Sequence, residues 1–151
     1  SAIARPFAGW TAIGSAIEYG YPLFSDNGFN GTSLVMDVSG DGTNNQGIAP
    51  DTARDNALAN GIDTINGIVI TSNQNVIDQY LNDVVGGDTP FLLAPAGFSE
   101  FQQAIENKIV AEIEGTIPEN NQVVQVPEPS SVILFGLSGL FMFISRKKKE
   151  K

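Results

Sequence analysis

One stretch of the sequence places several oxygen-bearing side chains close together. It reads LVMDVSGDGTNN, residues 34–45, and it changes from an apolar run into an acidic, glycine-rich turn. Carboxylate, hydroxyl and amide oxygens are the ligands that hard divalent cations such as Mg²⁺ and Ca²⁺ prefer. The stretch therefore predicts a divalent-cation site, provided that the fold brings further oxygen ligands to the turn.

The composition excludes several other kinds of site. The 151 residues include no histidine and no cysteine. A histidine-based catalytic triad, a cysteine nucleophile and a thiolate or imidazole zinc site are therefore excluded. A hydrolase acting through paired carboxylates ranks last, since no acid pair stands out and no nucleophile lies beside a base. We accordingly expect a binding protein and not an enzyme.

Charge is distributed unevenly along the chain. Residues 1–129 contain 16 acidic and three basic residues, a net charge of −13, whereas residues 146–151 (RKKKEK) carry a net charge of +4. An acidic body repels phosphate backbones, so we expect no nucleic-acid binding. The same charge suits an exported protein or one that attracts cations.

Apolar periodicity predicts helices and strands that alternate along the chain. The predicted helices cover residues 11–24, 50–59, 75–85 and 100–114, and the predicted strands cover residues 33–39, 65–70 and 90–94. We expect a capping box of Ser99 and Gln102 at the last helix, whose apolar stripe includes Phe101, Ala104, Ile105, the stem of Lys108, Ile109 and Ile113. This order predicts an α/β fold, a partial doubly wound and mostly parallel three-stranded sheet with flanking helices. Doubly wound sheets usually have five or six strands, so we expect the amino-terminal half to be missing.

The carboxy-terminal end has the features of a membrane anchor. Residues 115–129 form a polar, proline-rich linker, and residues 130–145 (SSVILFGLSGLFMFIS) contain no charge. A helix of that length spans about 24 Å, slightly less than a hydrocarbon core of about 30 Å. Arg146, Lys147, Lys148 and Lys149 follow and can snorkel to the interface. We predict a transmembrane helix over 130–145, with the basic tail 146–151 in the cytoplasm; the alternative is a buried core helix.

Val126, Pro127, Glu128 and Pro129 precede this apolar span and basic end at the end of the chain. Together the three parts closely resemble the PEP-CTERM sorting signal of Gram-negative bacteria. The resemblance implies processing by an exosortase, an intramembrane cysteine transpeptidase that cuts near the motif. It also implies a body that is anchored in the inner membrane, exposed to the periplasm, and then sorted to the cell surface or extracellular matrix.

The main body, residues 1–114, resembles a second family. Four segments carry the resemblance: RPFAGWTAIG, LVMDVSGDG, ARDNALANGIDTINGIVI and YLNDVVGGDTPFLLAPAGFSEFQQAI. In this order they resemble the carboxy-terminal half of a bacterial branch of von Willebrand factor A-like domains. That family holds Mg²⁺ or another divalent cation with ligands from three loops at the carboxyl ends of the strands. The resemblance makes Thr11 and Asp41 two of these ligands, whereas the third loop, Asp-x-Ser-x-Ser, has no counterpart ahead of Thr11.

The resemblance implies an adhesion module whose cation accepts a carboxylate from a protein ligand. With only Thr11 and Asp41 present, we expect weak binding in the millimolar range. Three alternatives stay open. Residues from Asp37 onward fit an EF-hand-type calcium loop until position 12, which is Ile48 and not an acid. Ser39–Gly42 also suits a plain tight turn in a structural surface protein with a vestigial site, and Thr11 can cap the following helix.

Overall fold

A computed structural model of the chain describes residues 9–118 and the backbone of residues 123–124. Its helices are α1 (Ile13–Gly20), α2 (Pro50–Ala59), α3 (Gln74–Gln79) and α4 (Phe98–Glu114). Its strands are β1 (Val35–Gly40), β2 (Thr64–Val69), β3 (Gly86–Gly87), β4 (Leu92–Leu93) and β5 (Val123–Val124). A 3₁₀ turn over Tyr21–Phe24 follows α1, and a π-helical turn over Tyr80–Val84 follows α3.

The strands form one sheet in which β1, β2 and β4 are parallel to one another. The order is β1-β2-β4-β5, and β3 pairs with β2 outside this path. β1 and β2 are parallel over their whole length, with Val35 opposite Thr64 and Gly40 opposite Val69. β4 is parallel to β2, whereas β3 and β5 are antiparallel to β2 and β4. The prediction of a mostly parallel α/β fold with flanking helices is confirmed.

The sheet has five strands, so the predicted count of three is wrong. The two additional strands, β3 and β5, are only two residues long, and a pair of residues has no alternation of apolar and polar positions. The predicted helix 75–85 therefore ends just before β3, and β5 falls in the predicted linker 115–129. Gly87 has a φ of 96°, and a Cβ there would collide with the carbonyl oxygen of Asp63. Only glycine permits this close pairing with the start of β2.

The larger core lies between one face of the sheet and helices α1, α2 and α3. β2 is buried along its whole length. The buried apolar residues of this core include Ile13, Ile17, Met36, Ala53, Ala57, Ile65, Val69, Val76, Tyr80, Val84 and Leu92. α1 and α2 approach closely because Gly14 has no side chain: a Cβ there would overlap the carbonyl oxygen of Ile48. This packing fixes the start of α1 next to the loop that follows β1.

α4 packs against the opposite face of the sheet. Ile68, Phe91 and Leu93 form a small apolar cluster with Ala104, and Phe101 packs partly against it. The predicted apolar stripe is wrong at its end, since Ile109 and Ile113 are 49% and 80% exposed. The helix buries Lys108 instead, because the ammonium group forms ion pairs with Asp37 and Glu112 under the helix.

The predicted capping box at α4 is also wrong. The helix begins at Phe98 with Gly97 as its N-cap, and no side chain caps it there. Ser99 therefore lies inside the first turn. Glu100 accepts a hydrogen bond from the backbone N–H of Ala96 at 3.0 Å, so an acidic side chain in the first turn fixes the entry of the helix.

β1 borders a groove on the side of the sheet that α1 covers. The groove has a volume of about 540 Å³, and its walls include Ile17, Phe24, Met36 and Val38. It contains apolar side chains from both α1 and β1. An edge strand beside an apolar groove is a place where a further strand can pair.

The membrane-anchor prediction falls outside the described residues. Across residues 9–118 and 123–124, no helix has both the length and the apolar character needed to cross a membrane. The predicted span 130–145, the motif 126–129 and the basic tail 146–151 lie beyond these ranges.

Candidate divalent-cation site

Two loops meet at the carboxyl end of β1. One begins with Asp41, directly after β1, and the other contains Thr11, directly before α1. Asn45 joins them: its side-chain oxygen accepts from the N–H of Thr11 at 2.7 Å, and its amide nitrogen donates to the carbonyl oxygen of Gly9 at 3.0 Å. The backbone N–H of Asn45 also donates to the carbonyl oxygen of Thr11 at 2.9 Å. Two of these hydrogen bonds fix the backbone of Thr11 against the turn, and the third holds Gly9 there.

Asn44 extends this connection to α1 and α3. Its side-chain oxygen accepts from the N–H of Gly14 at 3.3 Å, and its backbone N–H donates to Oε1 of Gln79 at 2.6 Å. The N-cap of α1 is Ala12, and no side chain caps the helix from that position. The alternative that Thr11 is the N-cap is therefore wrong, because Asn44 supplies an acceptor for the first turn from the other loop.

The predicted ligands Thr11 and Asp41 lie on these adjoining loops. Oγ1 of Thr11 is 3.5 Å from the point that a Cβ on Gly42 would occupy, so the hydroxyl lies beside the residue that follows Asp41. Asp41 is exposed, and Thr11 is half-buried. Asp41 is at the carboxyl end of the parallel strand β1, which is where doubly wound sheets bind their ligands, and the loop of Thr11 adjoins it. Their role as metal ligands stays a prediction.

Tyr80 approaches the same turn from the end of α3. It is 1% exposed, and its hydroxyl fills the space beside Gly40 that a Cβ would need. Burial first, and the negative charge of Asp41 second, raise the pKa of Tyr80 to about 12. The phenol is therefore neutral at physiological pH and can donate a hydrogen bond towards the turn.

Sequence reasoning missed the residues that hold the turn in place. Asn44 and Asn45 belong to the predicted turn, while Gln79 and Tyr80 fall within a predicted amphipathic helix. Their partners lie more than 30 positions away, as in the pairs Asn45–Thr11 and Asn44–Gln79. Local periodicity carries no information about such pairs, so only the fold reveals them.

The calcium-loop alternative requires Asp37 and Asp41 to bind the same ion. Asp37 belongs to β1, and Asp41 directly follows this strand. Residues four apart along an extended chain are separated by about 13 Å, too far for Asp37 and Asp41 to bind one ion. Asp37 instead pairs with Lys108, whose ammonium group also contacts Glu112 at 2.6 Å. The EF-hand-type interpretation is therefore wrong.

The donor set at the turn suits a hard cation that keeps most of its water. Among the described residues, no three histidine, cysteine, aspartate or glutamate side chains cluster as a metal site would require. Asp41 and Thr11 offer one carboxylate and one hydroxyl, and both are oxygen donors. Mg²⁺ commonly uses one or two carboxylates together with several waters. The residues present therefore fit a weakly held Mg²⁺-like ion and not a fully enclosed one.

Fold and turn together define an α/β protein with an oxygen-rich loop pair at the carboxyl end of a parallel strand. Residues 1–117 match a family described as "Protein of unknown function (DUF1194)". Residues 125–149 match the PEP-CTERM protein-sorting motif. The first match covers well over half of the 151 residues, so the chain belongs to the DUF1194 family. No curated protein and no solved structure matches the chain.

The second match confirms the sorting signal that the sequence predicts around residues 126–129 and the basic end. A PEP-CTERM motif implies processing by an exosortase. It therefore implies an exported, membrane-associated protein that is sorted to the cell surface. Neither match refers to a von Willebrand factor A-like domain, so that resemblance stays a prediction.

Proposed function

We propose that the chain is an exported, surface-sorted binding module that uses a divalent cation at Thr11 and Asp41. One observation carries this proposal: the hydroxyl of Thr11 lies beside Gly42, the residue after Asp41. The two predicted ligands are 30 positions apart in the sequence. A shared ion requires the loops that carry these residues to adjoin, and the Thr11 hydroxyl beside Gly42 supports this.

The chemistry follows from the two side chains. Asp41 supplies negative charge, and Thr11 supplies a neutral hydroxyl oxygen. Asn45 holds the backbone of Thr11 through hydrogen bonds to both its N–H and its carbonyl oxygen. When bound, the cation supplies an electrostatic link to an acidic group on a partner, since an octahedral ion with two protein ligands has positions left for waters and a carboxylate. Asp41 is exposed, so a partner can reach it.

Charge and the state of the basic residues support binding over catalysis. Residues 9–118 contain 14 acidic and two basic residues, and such a surface attracts cations. Lys108 is buried between Asp37 and Glu112. Arg54 pairs with Asp55 and donates to the carbonyl oxygen of Asn82 at 2.6 Å. Both bases are thus engaged in holding the fold.

A structural or matrix protein with a vestigial site is the second candidate. The feature that favours it is the small number of protein ligands, since Thr11 and Asp41 are two where a tight site has more. On that alternative, the turn only holds the start of α1 against the end of β1 through hydrogen bonds, and it binds no ion at physiological concentrations.

Titration of Mn²⁺ into the full chain, held in neutral detergent micelles and followed by electron paramagnetic resonance, separates the two candidates. We expect one site with an affinity on the order of 1 mM, lost in Asp41→Asn and weakened in Thr11→Val. Asp26→Asn is the matched control, because it removes the same charge in the loop after the 3₁₀ turn that follows α1. Asp26 has a φ of 55°, which asparagine tolerates. Equal Mn²⁺ binding by Asp41→Asn and Asp26→Asn would refute the proposed site.

A further inference from the structure

The hydroxyl of Tyr80 is deeply buried and has no hydrogen-bond partner within residues 9–118. The residue is 1% exposed and belongs to the larger core. Buried tyrosine hydroxyls nearly always find a partner, because an unpaired polar group in a protein interior is unfavourable. An unpaired hydroxyl at this depth therefore requires an explanation, and a partner that the hydroxyl binds only when a ligand is present is one.

The tip of Tyr80 lies beside Gly40, the last residue of β1 before the candidate cation site. The hydroxyl occupies the space next to Gly40 where any other residue would place its Cβ. Gly40 directly precedes Asp41, and burial first and the negative charge of Asp41 second raise the pKa of Tyr80. Glycine at position 40 thus makes room for the phenol at the base of the Asp41 turn.

The backbone around Tyr80 is also fixed against this turn. Gln79, the preceding residue, accepts a hydrogen bond from the backbone N–H of Asn44 at 2.6 Å. Tyr80 itself begins a π-helical turn, in which its carbonyl oxygen accepts from the N–H of Val85 at 3.0 Å. Single π-helical turns are rare and occur frequently at functional sites. The π-helical turn and the hydrogen bond of Gln79 together hold the phenol beside Gly40.

We propose that Tyr80 is a positioning residue of the cation site: when an ion is bound, its otherwise unpaired hydroxyl donates a hydrogen bond to the Asp41 carboxylate oxygen that does not contact the ion. This inference rests on the proposed function. Carboxylates that bind metals are commonly oriented by such outer hydrogen bonds. A carboxylate held through one oxygen can offer only the other, which suits Mg²⁺, whereas Ca²⁺ also accepts both oxygens of one carboxylate. Tyr80 therefore sets a preference for Mg²⁺ over Ca²⁺.

The test compares Tyr80→Phe with the wild-type full chain in neutral detergent micelles. Nuclear magnetic resonance shifts of the Gly42 amide, recorded during separate MgCl₂ and CaCl₂ titrations, give both affinities up to tens of millimolar. We expect the Mg²⁺ affinity of Tyr80→Phe to fall about tenfold, as for other residues that orient a metal ligand, and the Ca²⁺ affinity to fall less. Tyr19→Phe is the matched control, because Tyr19 is 77% exposed on α1.

The possible results are distinguishable. Unchanged affinities for both ions in Tyr80→Phe would overturn the inference and leave the proposed cation site standing. Absence of Mg²⁺ binding by the wild-type chain would overturn both. If Tyr80→Phe fails to fold by circular dichroism, the near-ultraviolet difference spectrum of the wild-type chain decides. A tyrosine shift on adding MgCl₂ that Tyr19→Phe retains supports the inference, and its absence overturns it.

Discussion

Replacing Lys108 with methionine should destabilise the fold by about 2–4 kcal/mol at pH 7. Methionine keeps most of the length of the lysine stem and removes only the charge. In the wild-type chain the ammonium group is 2% exposed and pairs with Asp37 on β1 and Glu112 on α4. Glu112 in turn accepts a hydrogen bond from the side chain of Asn66 on β2 at 2.8 Å. The Lys108 ammonium group therefore connects α4 to β1 directly, and to β2 through Glu112.

The magnitude depends on how well each carboxylate can be hydrated once the cation is gone. Removing one partner of a buried ion pair costs about 3–5 kcal/mol, because the other charge stays buried and uncompensated. The side chain of Asp37 is 46% exposed, so water can replace most of its interaction, and a pair of that kind contributes at most about 1 kcal/mol. Glu112 is only 17% exposed and accounts for most of the loss.

The same reasoning fixes the pH dependence. Burial raises the pKa of Glu112 above its usual value of 4.5, although Lys108 and Asn66 act in the opposite direction. A carboxyl group whose pKa is higher in the folded chain than in the unfolded chain reduces stability as the pH rises through that window. Without Lys108 this penalty grows, so the cost of Lys108→Met should be larger at pH 7 than at pH 4.

Urea unfolding of the full chain in detergent, followed by far-ultraviolet circular dichroism at both pH values, measures this difference. Lys149→Met is the matched control, since it makes the same substitution in the basic tail. A loss below about 0.5 kcal/mol at pH 7, or an equal loss at both pH values, would refute the idea that an uncompensated Glu112 charge dominates.

Three further predictions concern other parts of the chain. Gly40→Ala should cost about 1–3 kcal/mol in urea unfolding, because its Cβ overlaps the hydroxyl of Tyr80, and the loss should shrink in a Tyr80→Phe background. Burial first, and the charge of Asp51 second, raise the pKa of Asp83, so Asp83→Asn should melt at a higher temperature than the wild type at neutral pH and lose that advantage as the pH falls and the wild-type carboxyl becomes protonated. Replacing both prolines of the motif 126–129 with alanine should leave the chain uncut in an exosortase-containing host, and an unchanged size on immunoblots relative to wild type would contradict this.

The sequence was sufficient to predict those helices and strands that are long enough to show a periodic pattern of apolar residues. β1 and β2 lie within a residue or two of the predicted strands, and α2 has the predicted bounds, because apolar runs and a proline at the helix start are strong local signals. β3 and β5 are two residues long, too short to show an alternation of apolar and polar residues. The orientation of α4 depends on a buried ion pair, which the sequence analysis treated as an aliphatic stem at Lys108.

Of the residues at the candidate site, the sequence predicted only the two ligands. Thr11 and Asp41 came from a family resemblance, and the fold brings their loops together. The connections that hold the loops, at Asn44 and Asn45, join residues more than 30 positions apart and leave no local pattern. Tyr80 was indistinguishable from a core residue, because a buried tyrosine satisfies the same helical periodicity whether or not its hydroxyl has a role.

Paramagnetic broadening of amide resonances by Mn²⁺ tests the central claim most directly. Substoichiometric MnCl₂ is added to the ¹⁵N-labelled full chain in micelles, and the loss of signal is mapped onto the sequence. We predict that broadening begins at two separate segments, residues 9–11 and residues 40–43, before any other part of residues 9–118. Broadening that spreads evenly over the acidic surface, or that begins at another carboxylate, would contradict a cation site shared by Thr11 and Asp41.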